Sequence, residues 1–189
     1  MSPSAAADAL SIWRRGHHVF FVLTQGMVMS FALSAEALRS GHWEAARGHL
    51  ELAIRLMDAS GTAMELAACF SAEDYEATVR PSMHPPATRA ELSGMMSSDH
   101  VALMAELAGL RTQLALAQDR LGDVGPRFFA ALARLYDRHI HVCERFVDRA
   151  PSLKSGGATP AVVVLERLRD RRLGPARLHH PSPAGGQSE

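Results

Sequence analysis

An imidazole and a thiol one helical turn apart, His139 and Cys143, are the residues in this 189-residue chain whose types and spacing could do chemistry. They sit in the stretch Phe128 to Phe146, FFAALARLYDRHIHVCERF. There Phe128, Leu132, Leu135, His139, Val142, Cys143 and Phe146 share one stripe at i, i+4, i+7 spacing, and Arg134, Asp137, Arg138, His141, Glu144 and Arg145 take the other side. A second imidazole, His100, falls on the apolar stripe of an earlier segment, with thirty-eight residues between it and His139. Neutral imidazole is a common ligand of heme iron, and helical bundles hold cofactors through side chains of facing helices. The competing reading is structural: a core histidine with a hydrogen-bond partner and a free cysteine packed as a small hydrophobe. Zinc is a weaker option, because one thiol and two imidazoles lack short ligand spacing, and no Glu-x-x-His pair offers a di-iron site.

The elements that must position these groups all read as helices. Ala5 to Leu38 contains few breakers and is apolar over much of its circumference around Phe20 to Leu33, as expected of a central, buried helix. His42 to Ser60 is a cleaner amphipathic helix, with Gly61 expected to close it and a short helix Thr62 to Cys69 to follow. Ser71 to Asp74 is a capping-box pattern that starts a turn or two ending at Arg80-Pro81. Arg80 to Gly94, with three prolines and one glycine in fifteen positions, is a long loop of the kind that more often serves function. Ser97-Ser98-Asp99 caps a helix running to about Gly122, the Phe128 helix follows, and Thr159 to Leu173 is the last. No strand pattern stands out. The expected fold is all-α, a bundle of four main helices with short ones, forming one domain over residues 1–173 with a disordered tail at 174–189.

Composition narrows the function classes. A hydrophobic content of 47% supports a sizeable core, and 20 basic against 20 acidic side chains leave no electrostatic drive toward nucleic acid or an anionic membrane. No basic region precedes an apolar run at the N-terminus and no apolar stretch approaches the ~18 residues of a membrane span, so the expected location is the cytoplasm. Two cysteines make no disulfide framework. The apolar first helix and small size make a homodimer possible. Aromatic content of 6% leaves few rings to stack on a substrate.

Arg138-His139, Cys143-Glu144-Arg145 and the following Lys154-Ser155-Gly156-Gly157-Ala158-Thr159 resemble the C-terminal signature of the tryptophan 2,3-dioxygenase superfamily. Phe20 to Gln25, Phe70 to Tyr75 and Ser93 to Ser97 are similar in the same order, so the likeness covers roughly Phe20 to Leu168. Within that superfamily His100, His139 and Cys143 match the His-x(n)-His-x-x-x-Cys pattern of the c-type-heme 3-methyl-L-tyrosine peroxygenases. The resemblance implies His139 as the iron ligand, Cys143 as a thioether to a heme vinyl (c-type, otherwise b-type heme), and His100 as a second heme-contacting histidine. Gln25 stands where the dioxygenases place a distal histidine and could donate a hydrogen bond to bound oxygen or peroxide. Arg80, one position off register, is the candidate for the substrate carboxylate, and Ser155 falls where a substrate-contacting threonine occurs. His17, His18 and His84 read as structural or solvent-facing.

The function expected on this likeness is oxygenation of an aromatic amino acid or indole-type substrate with O2 or H2O2, in specialised biosynthesis. Two rivals stand beside it: a bis-histidine heme sensor or carrier, and a helical interaction module without cofactor.

Overall fold

Runs rich in Ala, Leu, Met, Arg and Glu, broken mainly at Gly41, Pro81 and Gly122, fold as helices because these residues lose little rotamer freedom there. The computed structural model describes residues 3–87, 97–147 and 159–174. Most of Ser93 to Ser97, the glycine-rich loop with Ser155, and the tail from residue 175 lie outside them. The architecture is all-α: α1 (Pro3–Arg39), α2 (Trp43–Ala67), the single turn α3 (Ala72–Asp74), a π-helical turn (Tyr75–Val79), a 3-10 turn (Pro81–Met83), α4 (Ser98–Leu116), α5 (Gln118–Leu121), α6 (Val124–Val147) and α7 (Ala161–Leu173).

The inner face of α1 carries Ala9, Met27, Phe31 and Leu38 into the core. Its buried hydroxyls are satisfied within the helix, Thr24 Oγ1 donating to Phe20 O at 2.9 Å and Ser34 Oγ to Ser30 O at 2.7 Å. The outer face stays apolar but is not covered, with Val22 68% and Met29 65% exposed beside Val19 and Leu33. Two sequence expectations are thereby corrected: α1 is not buried all round, and by length and composition it is apolar enough to cross a bilayer, with mean hydropathy 1.5 over an 18-residue window. The physical reason is that its core-facing and outward-facing stripes are both apolar.

Gly61 does not close α2, which continues to Ala67. This glycine is instead a point of close approach: a Cβ there would lie 2.5 Å from Arg138 Cδ. Arg138 crosses at that spot to donate to Asp58 O and Thr62 Oγ1, both at 3.0 Å. Two further arginines of α6 make two-pronged bonds to α2, Arg127 to Glu51 and Arg134 to Asp58. The constant offset of 76 residues in these pairs makes α2 and α6 run parallel. Each half-exposed pair contributes only ~0–1 kcal/mol, so their effect is register more than stability.

Gly16 holds α1 against the end of α2, where an added Cβ would lie 2.3 Å from Ala67 Cβ and 2.5 Å from its Cα. Backbone cannot yield as a side-chain tip can. Gly16→Ala is therefore expected to destabilise the fold by about 1–3 kcal/mol despite its gain in helix propensity, read as a lower urea midpoint; an unchanged or higher midpoint would mean the crossing is loose.

The helix expected to reach Gly122 breaks at Ala117 into α4 and α5, and Gly122, at φ +57, turns the chain into α6. The main partner of α4 is α1, and that of α6 is α2, with α7 against α6. The helices that carry His100 and His139, α4 and α6, thus face each other across a space.

Candidate active site

That space is a cavity of about 300 Å3, at the small end of ligand pockets. Ser97 caps α4 by accepting the His100 N–H at 3.2 Å, which places His100 on the helix's first turn, at the cavity wall. From α6, Leu132, Leu135, Tyr136, His139, Val142, Cys143 and Phe146 line the opposite side. The stripe read from the sequence thus faces the cavity from Leu132 onward, with Tyr136 added to it, while Phe128 is buried in the core. Phe31 lines the floor and rests edge-on against buried Phe128, ring centroids 5.4 Å apart.

Burial holds His139 far below its ordinary pKa of 6.5, down to about 4, with the positive forms of His100 and His17 adding to the shift. The residue is half-buried and lines the cavity. At neutral pH this imidazole is uncharged and keeps a lone pair to donate. Burial also pushes the Cys143 thiol up to about 11, helped by Glu144, so it is a thiol and not a thiolate. A protonated sulfur on this wall is a poor metal ligand but can add across an activated double bond.

Depression of the His139 pKa makes the stability of the cofactor-free chain depend on pH. The unfolded imidazole takes up a proton near 6.5 and the folded one only near 4, so between these values the unfolded state holds more protons. Stability from this group is complete above pH 6.5 and is lost as pH falls toward 4, by roughly 3 kcal/mol. Urea midpoints at pH 7 and pH 4 measure the loss, and His139→Ala should flatten its share of the profile.

His17 and His84 also line the cavity, correcting their reading as structural or solvent-facing; His18 is exposed. His17 Nδ1–H donates to Trp13 O at 2.8 Å, which leaves Nε2 as the acceptor, and burial lowers its pKa. The signal is present in the sequence: Trp13, His17, Phe20, Thr24, Met27 and Phe31 repeat at helical spacing on one side of a helix that is apolar over much of its circumference. Gln25 is a second correction. It is exposed and is not part of the cavity wall, because α1 presents Phe20, Phe21, Met27 and Phe31 inward.

Arg80 does reach the cavity, its guanidinium bonded to Glu76 at 2.8 Å. Beside it Tyr75 and Phe70 both stack on Phe146, at 4.8 and 5.2 Å between centroids. The low aromatic content proves no handicap, since of seven Phe, two Trp and two Tyr, eight line this one cavity.

Among the described residues no three His, Cys, Asp or Glu side chains converge closely enough to hold a bare metal ion. Two imidazoles on facing helices, with an apolar, aromatic lining around them, are suited instead to a metal whose other ligands come from a planar macrocycle.

A family profile described as SfmD 3-methyl-L-tyrosine peroxygenase matches residues 1–124. The chain is also 36% identical over 174 residues to a 3-methyl-L-tyrosine peroxygenase of Streptomyces lavendulae, an overlap of 90% of this chain and 48% of that protein. It therefore spans about half the length of this curated relative, and an overlap so long includes His100, His139 and Cys143. No solved structure matches.

Proposed function

Because the chain belongs to the SfmD 3-methyl-L-tyrosine peroxygenase family, we propose that it binds heme between α4 and α6 and uses peroxide to oxygenate an aromatic amino acid. The observation that carries this reading is the opposition of His100 and His139 across one cavity, with Cys143 a turn beyond His139. His139 would be the iron ligand, as the likeness to the wider tryptophan 2,3-dioxygenase-like group implies, while Cys143 would be the thioether partner of a vinyl group and His100 the second imidazole, as the His-x(n)-His-x-x-x-Cys pattern of the peroxygenases implies. Bound heme would supply the redox chemistry that transfers oxygen from peroxide to the substrate ring.

The chain's own residues do the rest. Desolvation keeps His139 in the neutral form that can ligate. Phe70, Tyr75 and Phe146 offer a stacked apolar wall for an aromatic ring, and Arg80 beside it offers a guanidinium for a carboxylate. His17, its tautomer set by Trp13 O, presents a proton acceptor among the lining residues.

The same opposition of two imidazoles supports a second reading, a bis-histidine heme carrier with no open coordination position. An absorption spectrum with a pyridine hemochrome assay tests both: heme with a saturated vinyl is expected, and Cys143→Ser should restore the free-vinyl hemochrome and let acidified acetone extract the heme. Peroxide-dependent oxygenation of an aromatic amino acid then separates enzyme from carrier. Colourless protein from heme-replete cells would refute both.

A further inference from the structure

Helix α1 has two apolar sides, and only one of them is covered. The inner side lines the cavity with His17, Phe20, Phe21 and Phe31 and packs on α2 and α4. On the other side Arg15, His18, Val22, Gln25, Met29, Leu33 and Glu36 are all exposed and lie three or four residues apart, so they form one stripe along the helix. Val22 and Met29 are its most exposed apolar side chains, and Val19 widens it beside Val22. An uncovered apolar row of this length, ending in charge at both ends, is the pattern of an association face.

The order of residues along the stripe says what covers it. Their positions are symmetric about a midpoint between Gln25 and Gly26: Val22 mirrors Met29, His18 mirrors Leu33, and Arg15 mirrors Glu36. A second α1 laid antiparallel on the first therefore sets Val22 against Met29 and Arg15 against Glu36, twice over, because a two-fold interface repeats every contact. The charges match only in that direction, since a parallel pair would oppose Arg15 to Arg15 and Glu36 to Glu36. Beside the axis the two Gln25 amides, each both donor and acceptor, can bond to one another. Glu36 already accepts from Arg39 and Ser40 of its own chain, and a carboxylate has lone pairs enough for a further donor.

We propose that the chain forms a two-fold homodimer through this stripe, with the two α1 helices antiparallel and in contact over about 30 Å. The apolar middle supplies affinity and the charged ends fix direction. The proposal is independent of the heme reading. In such a dimer the cavity wall that bears His17 is braced from behind by the partner copy.

Sedimentation equilibrium of the full chain at concentrations up to about 100 μM tests it. A reversible dimer of 20.5 kDa subunits is expected. Val22→Glu should raise the dissociation constant at least about tenfold, because it puts a carboxylate into each apolar middle. Arg15→Glu and Glu36→Arg should each weaken the dimer at low salt by about threefold or more, and the two together should restore it. All these positions are exposed, and circular dichroism confirms that each variant is folded. Wild type that stays monomeric at every concentration would overturn the proposal. So would monomer that floats with phosphatidylcholine vesicles, or that binds the half of the Streptomyces relative which this chain does not match, since either would then be what covers the stripe. A dimer that Val22→Glu leaves intact would overturn it by placing the contact elsewhere, and one that the charge exchange fails to restore would overturn the antiparallel arrangement.

Discussion

If heme binds as proposed, His139→Ala is expected to lower its affinity by more than about 100-fold and to remove the Soret band from protein purified at pH 7. Loss of a mere outer partner of a metal ligand costs ~10–100-fold, so loss of the ligand itself should exceed that range. Two features of the site make the effect large. The imidazole is neutral at working pH because burial holds its pKa near 4, so nearly every molecule has the lone pair available. And among the described residues no group of three His, Cys or acidic side chains converges there, so no cluster of donors takes over its position on α6. His100→Ala should act differently, leaving heme bound but changing the spin state, because His139 and Cys143 remain on the facing wall. Spectroscopic titration of the two variants distinguishes these outcomes. An unchanged spectrum in His139→Ala would dismiss this residue as the axial ligand.

Phe128→Ala should have the largest effect on stability, about 3–5 kcal/mol. The ring is fully buried and is packed edge-on by Phe31 at 5.4 Å and Phe129 at 5.6 Å between centroids. Phe128 of α6 meets α1 through Phe31, so the space left by the ring closes only if one of the two helices moves. A chain of this size should lose roughly 10 °C in Tm. Phe31 is also the cavity floor, so the variant should bind small apolar probes more readily while heme affinity falls. A Tm shift of only a degree or two would show that the core relaxes around the gap.

Fold class was legible from the residues because helical periodicity is a local property: apolar side chains at i, i+4 and i+7 mark a face wherever the chain places it. That is why the α6 stripe and the start of α4 at its Ser97 cap could be read correctly. Errors arose where both faces of a helix are apolar or where a residue's role depends on a distant neighbour. On α1, hydrophobicity is spread so widely that periodicity does not select the cavity face, which carries His17, and the residue that the family likeness points to there, Gln25, is exposed. On α2, Gly61 looked like a stop signal, while its actual service is room for Arg138 from seventy-seven positions away.

From the sequence alone it followed that the chain would be helical, and that one imidazole and one thiol would share an apolar face on α6, since a turn of helix needs only local bonds. That α4 and α6 face each other across a cavity instead of packing together was decided by tertiary contacts, α4 lying on α1 and α6 clamped parallel to α2 by arginines. The gathering of eight aromatic rings around that gap, and the turning of Arg172 onto Tyr136, were decided in the same way. These are choices among helix faces of similar hydrophobicity, and only the summed packing of the whole chain distinguishes them.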